Sequence, residues 1–148
     1  MAEPRQIRLI MELRAEGVKD PDVLGAIERV AREKFVPDQF ADRAYENTAL
    51  PIGEGQTISQ PLIVGLMTQA LEVGKRMKVL EIGTGCGYQA AVLSQLCRRI
   101  YSIERHKTLL AETTRRLTQL NYTNITTMAG DGSKGWPAQA PFDRIIVT

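Results

Sequence analysis

Three groups of residues in this chain have types and spacings suited to chemistry. The first is Val79-Leu80-Glu81-Ile82-Gly83-Thr84-Gly85-Cys86-Gly87, a short apolar run entering a turn with glycine at alternate positions. Such a turn bends sharply and keeps Cβ atoms away from a ligand lying across it. The second is Glu104, 17 residues beyond Gly87, at the end of the apolar run Arg99–Ile103. An acidic side chain there suits the two hydroxyls of a ribose. The third is Gly130-Asp131-Gly132, in which a carboxylate between two glycines can approach an adenine amino group, or simply form a turn.

The spacing narrows the ligand. A dinucleotide fingerprint would place another glycine at position 88, which is Tyr88. A triphosphate loop would carry lysine followed by serine or threonine directly after its last glycine, whereas Gly87 is followed by Tyr88-Gln89. The G-x-G-x-G pattern fits instead the loop that holds the amino-acid tail of S-adenosyl-L-methionine, with Gly83, Thr84, Gly85, Gly87, Glu104, Asp131 and Gly132 as its candidate contacts. Tyr88 and Gln89 either border that tail or pack the start of the next helix.

A second constellation precedes the glycine turn. Residues 49–61, Ala49 to Pro61, contain Thr57, Ile58, Ser59 and Gln60 just before an apolar run from Leu62 to Val73. Turn formers and the absence of a clear period make 49–61 a loop. Pro61 in a first helical turn leaves Gln60 or Ser59 as the cap, and backbone amides at that helix start suit an anion. A covalent serine mechanism has no support, because the only histidine, His106, falls at the start of another helix. One histidine and two cysteines, Cys86 and Cys97, supply no metal ligand set and no disulfide framework.

Elements follow from periodicity. Residues 4–16 form a helix with Ile7, Ile10, Met11 and Leu13 as its apolar stripe and Gly17 as its stop. Asp20 caps a second helix opened by Pro21, with Val23, Leu24, Ile27 and Val30 facing inward. From Lys78 strands (78–82, 99–103, 124–128, 142–148) alternate with helices (88–96, 107–120), which implies an α/β, doubly wound, mostly parallel sheet with its ligand at the carboxyl ends of the strands. We expect one domain: a helical cap over 1–48, a substrate loop over 49–61 and a cofactor-binding α/β portion over 62–148. Four strands are few for this architecture. The apolar run Ile145-Ile146-Val147 then implies either a chain truncated at its C-terminal end or a partner chain over the Phe142–Thr148 edge.

With 148 residues, net charge +2 and 43% hydrophobic residues, the composition is that of an ordinary globular domain, too weakly basic to argue for nucleic acid. Neither a signal pattern nor a membrane-length apolar run is visible, which points to a cytoplasmic protein.

The segments Arg32–Pro37, Gly53–Pro61, Glu81–Ala91, Gly130–Trp136 and Pro141–Thr148 together resemble the protein-L-isoaspartate O-methyltransferase family. The resemblance implies methyl transfer from S-adenosyl-L-methionine to the free α-carboxyl of isoaspartyl residues in damaged proteins and peptides, leaving S-adenosyl-L-homocysteine. It implies that Ser59 is the active-site position, that Thr57, Ile58, Ser59 and Gln60 meet the substrate, and that Glu104 and Asp131 hold ribose and adenine. Cys86 stands where many family members have serine. Other readings of the same residues are a methyltransferase with another acceptor, or an inactive cofactor-binding fragment.

Overall fold

The computed structural model describes residues 3–148. The chain begins with two helices. Helix α1 (Pro4–Ala15) ends in a left-handed Gly17, φ +119°, and the amides of Gly17 and Val18 return to the carbonyls of Arg14 and Leu13 at 3.4 and 3.0 Å. This doubled bond pattern satisfies carbonyls that the helix end would otherwise orphan. Its buried face is Gln6, Leu9, Ile10 and Leu13, while Ile7 and Met11 are exposed. The expected stripe was therefore rotated by about one position: Gln6 goes inward because its amide finds the Glu28 and Val30 carbonyls at 2.6 and 3.4 Å. Helix α2 (Pro21–Arg29) starts as expected, with Asp20 accepting the Asp22 amide at 2.9 Å and Val23, Leu24 and Ile27 buried. Two 3₁₀ turns, Arg32–Lys34 and Asp38–Arg43, complete the cap.

The segment expected as a loop is a β-hairpin. Strand β1 (Leu50–Gly53) pairs antiparallel with β2 (Gln56–Ile58), Leu50 opposite Ile58 and Gly53 opposite Gln56. The connection is Glu54-Gly55, both at positive φ (+54° and +67°), the conformation that matches the twist of a two-residue hairpin. Leu50, Ile52 and Ile58 anchor it in the core.

Helix α3 (Pro61–Leu71) leads to a four-stranded sheet. Strands β3 (Lys78–Ile82), β4 (Arg99–Glu104), β5 (Ile125–Ala129) and β6 (Arg144–Val147) lie in the order β5-β4-β3-β6, all parallel. Helices α4 (Tyr88–Ser94) and α5 (Lys107–Gln119) connect β3 to β4 and β4 to β5. Because the chain runs outward from β3 on one side and returns to its other side as β6, β3 is the switch point of the sheet, where α/β folds open a crevice at the carboxyl ends. One face packs Val79, Ile100 and Ile146 against Ala90 and Leu93 of α4, with Met67 and Leu71 of α3 alongside. The other face carries Tyr101, whose ring meets Trp136 and Phe142 edge-on at 5.3 and 5.8 Å, so these two rings cover that face at the interior strand β4. Ile145 and Val147 on β6 are 57% and 66% exposed. The main cluster of core residues runs from Leu9 in α1 through the hairpin to Val92 and Leu117, so cap, hairpin and the helices α4 and α5 share one interior, with Ile125 of β5 packed against it. Among the described residues no helix is long and apolar enough to cross a membrane.

Candidate active site

All parallel strands end at one rim, and the candidate residues follow those ends. The turn after β3 holds Gly83, Gly85 and Gly87 at φ +99°, +55° and +92°. What a Cβ would meet there differs from the simple expectation of a ligand. At Gly83 it would fall 2.4 Å from the Thr148 carbonyl oxygen, and at Gly87 2.9 Å from Thr113 Cγ2. These two glycines are required by backbone conformation and by protein packing; the turn they create is what faces the cleft.

Glu104, the last residue of β4, is 5% exposed. Its Oε1 accepts the Gly85 amide at 2.9 Å and its Oε2 the His106 amide at 3.0 Å. Each oxygen retains a further lone-pair direction for a hydroxyl donor. Asp131 follows β5 and caps the 3₁₀ turn Gly132–Lys134, Oδ1 accepting the Ser133 amide and hydroxyl at 2.9 and 2.8 Å, which lowers its carboxyl below the ordinary value. Turn and site are thus compatible uses of Asp131. Gly132 is obligatory for steric reasons, since a Cβ there would lie 2.3 Å from Ile82 Cγ2.

Two adjoining cavities unite these groups. One, of about 310 Å³, is lined by Gly83, Glu104, Gly130, Asp131, Gly132 and Gln56 among others. Its volume is at the lower end of small-ligand sites. The second, of about 80 Å³, is lined by Thr57, Ile58 and Ser59 of the hairpin and by Gly83, Thr84, Gly85 and Cys86 of the turn. Gln56, Gly83, Glu104 and Thr148 border both. The two cavities therefore form one continuous cleft, with the hairpin closing its end beyond the glycine turn.

Ser59 is half-buried at that end and does not cap α3. The cap position is Gln60, which makes no capping bond; Asn47 Oδ1 instead accepts the Leu62 amide at 3.0 Å. The helix start is consequently a poorer anion site than expected, one of its amides being satisfied internally. Gln60 is also turned away from the cleft, its amide donating to the Asn47 carbonyl at 3.2 Å. Thr84 borders the cleft, but its hydroxyl is engaged 2.6 Å from Ser102 Oγ, and the residue is buried. Tyr88 and Gln89 border the cleft, with Gln89 donating to Thr68 Oγ1 at 2.9 Å.

Beneath the turn lies a group that the pattern did not single out. Glu81 is fully buried, its Oε1 accepting the Ser102 hydroxyl at 2.6 Å and its Oε2 having no partner. Desolvation, with the nearby Glu104 charge adding to it, pushes the Glu81 carboxyl up to about 8 against the Ser102 hydrogen bond, so at neutral pH it is mainly protonated. Its signal in the sequence was a single acidic residue inside an apolar strand of a doubly covered sheet. No group of three or more potential metal ligands occurs among the described residues.

A parallel sheet with its switch at β3, an alternating-glycine turn over the switch and acidic side chains ending the next two strands make this a Rossmann-like methyltransferase domain. Residues 4–148 match the family model described as Protein-L-isoaspartate(D-aspartate) O-methyltransferase (PCMT), and the chain belongs to that family. It is 71% identical to the protein-L-isoaspartate O-methyltransferase of Paramagnetospirillum magneticum over 99% of this chain and 69% of that one. Against the same enzyme of Rhodospirillum rubrum it is 66% identical over 97% of this chain and 66% of that one, so it spans about two thirds of the length of such relatives. A solved protein-L-isoaspartate O-methyltransferase superposes with TM-score 0.85 at 31% identity over 97% of this chain and 47% of that chain. A second, from Plasmodium falciparum and solved with S-adenosyl-L-homocysteine, gives 0.81 at 21% identity over 98% of this chain and 73% of that chain, a likeness of fold.

Proposed function

We propose that this chain transfers a methyl group from S-adenosyl-L-methionine to the free α-carboxyl of isoaspartyl residues in damaged proteins and peptides, releasing S-adenosyl-L-homocysteine, in the cytoplasm. The observation that carries the reading is the juxtaposition, in one cavity, of Thr57, Ile58 and Ser59 with the glycine turn Gly83–Cys86. In this reading Glu104 accepts the ribose hydroxyls, Asp131 and Gly132 border the adenine, and the turn cradles the amino-acid tail. When bound, the cofactor supplies an electrophilic methyl on a cationic sulfonium. The chain's own task is then positional. The acceptor carboxyl is ionised at neutral pH, so no general base is needed. Ser59 and Thr57 orient one carboxylate oxygen toward the methyl, with the hairpin walling one end of the cleft. Placing two reactants in line is the larger part of such acceleration.

Solved methyltransferases with other acceptors support this choice of acceptor by contrast. A dimethyladenosine transferase from Plasmodium falciparum aligns over 60% of this chain (TM-score 0.55, 25% identity), whereas the solved protein-L-isoaspartate O-methyltransferase at 31% identity aligns over 97%. The decisive experiment is a radiolabelled-methyl assay with an isoaspartyl peptide and its matched aspartyl peptide. Label in the first alone is expected; equal label in both defeats the acceptor assignment.

A further inference from the structure

Arg32 takes no part in the chemistry outlined above, yet its placement is unusual. It is 1% exposed, in the 3₁₀ turn that joins α2 to the hairpin. Its Nη2 donates to the carbonyls of Ser59 at 2.9 Å and Thr48 at 3.3 Å. These residues flank the hairpin on its two sides, Thr48 shortly before β1 and Ser59 directly after β2. The guanidinium carbon stands 4.7 Å from the centroid of the Tyr88 ring, and Tyr88 is the residue directly after Gly87. One side chain thus touches both feet of the hairpin and the helix that continues the glycine turn.

The charge itself has no counterion. Among the described residues no carboxylate oxygen lies within 4.0 Å of the guanidinium. Nε and Nη1 are buried without acceptors, and the Tyr88 hydroxyl beside them is also unpartnered. Burial draws the Arg32 pKa downward, but an arginine stays protonated in a protein. An apolar residue of similar volume would fill this space without the desolvation that a lone buried cation carries. The arrangement makes sense if both the forked donor and the uncompensated charge are used.

We propose that Arg32 is a positioning residue of the acceptor site: it clamps the two feet of the hairpin so that Ser59 faces the glycine turn, and its unpaired charge favours an anionic carboxylate there. The inference rests on the acceptor reading given above and adds to it a residue outside the cleft wall. The cation–ring contact with Tyr88 transmits the clamp to α4.

The test uses the whole chain and its R32K, R32Q and R32M variants. Calorimetry measures affinity for an isoaspartyl peptide on protein saturated with S-adenosyl-L-homocysteine, and separately affinity for S-adenosyl-L-homocysteine. R32Q and R32M are expected to bind the peptide at least tenfold more weakly with cofactor affinity within twofold of wild type. R32K, which keeps the charge but not the fork, is expected to recover to a three- to tenfold loss. Amide exchange over residues 48–59 should quicken in R32Q while residues 78–104 keep their protection. Unchanged peptide affinity in R32Q, equal losses for peptide and cofactor, or no recovery in R32K would each overturn the proposal. If R32Q and R32M fail to fold, R32K decides alone: a three- to tenfold loss confined to the peptide supports the clamp, and any other result removes it. Wild-type protein that binds isoaspartyl and aspartyl peptides alike would overturn the acceptor reading first, before any variant is compared.

Discussion

Glu104 Oε1 accepts the amide of Gly85 at 2.9 Å, so the carboxylate proposed here to receive the ribose hydroxyls also holds the glycine turn in place. The two functions separate by substitution. Glu104→Gln keeps the shape but turns one acceptor into a donor, while Glu104→Ala leaves the Gly85 and His106 amides without partners. The first is expected to weaken S-adenosyl-L-homocysteine binding by roughly ten- to a hundredfold, about 1.4–2.8 kcal/mol. The second should weaken it at least as much and also cost roughly 1 kcal/mol of stability, because the two amides it orphans are part-buried. Calorimetry and denaturant unfolding report the two effects; an alanine variant of full affinity would remove Glu104 from the site.

Ser59 offers the opposite case, a residue whose hydroxyl makes no hydrogen bond to the rest of the described chain while its carbonyl is held by Arg32 at 2.9 Å. Ser59→Ala should therefore leave the melting temperature and the cofactor affinity nearly unchanged, while methyl transfer to an isoaspartyl peptide falls by roughly a hundred- to a thousandfold, the range for a lost transition-state donor. Undiminished transfer would exclude the hydroxyl from the reaction.

The buried Glu81 carboxyl predicts a pH dependence. Its folded-state value is raised to about 8 from an ordinary 4.5, so the folded chain binds more protons than the unfolded chain between those values. Stability from this group is full below the unfolded value and declines as pH rises through about 8, by up to roughly 1.4 kcal/mol per pH unit across that window. Glu81→Gln, which keeps a donor and an acceptor but cannot ionise, should flatten the profile. Denaturant midpoints from pH 5 to 9 on both proteins test this; parallel profiles would show that another group is responsible.

Much of this was legible in the sequence because it depended on local rules. The Asp20-Pro21 helix start, the alternating-glycine turn and the order of strands and helices each follow from neighbouring residues, and all were found where those residues placed them. What was not legible depended on long-range partners. Asn47 caps α3 from 15 positions away, which displaced Ser59 and Gln60 from that task. Gln6 is buried because α2 offers it carbonyls, which pushed Ile7 and Met11 outward. The Thr84 hydroxyl turned inward because Ser102 stands on the adjacent strand. The hairpin was hidden because its turn is Glu54-Gly55 instead of the usual Asn-Gly or Asp-Gly, and because Pro51 sits inside β1.

That hidden turn supplies a prediction of its own. Glu54 adopts φ +54°, which favours asparagine over glutamate, and it is exposed. Glu54→Asn should stabilise the chain by roughly 0.5 kcal/mol without altering cofactor affinity. A loss of stability in thermal melts would mean that the Glu54 side chain has a favourable role elsewhere.

Gly132 provides the sharpest steric test at the rim. A Cβ there would lie 2.3 Å from Cγ2 of Ile82, a β-branched side chain fixed in the strand below, and 3.3 Å from its Cδ1. Because the Gly132 backbone does not adopt a positive φ, the clash alone opposes a side chain. Gly132→Ala should cost roughly 1–3 kcal/mol as an overpacked contact and shift the 130–133 wall that borders the larger cavity. Ile82→Ala removes the obstructing atoms at its own cost in burial. The double variant should then be more stable than the sum of the single losses implies, by at least about 0.5 kcal/mol. Strict additivity in denaturant unfolding would mean that the chain relaxes around Gly132 without using the Ile82 contact.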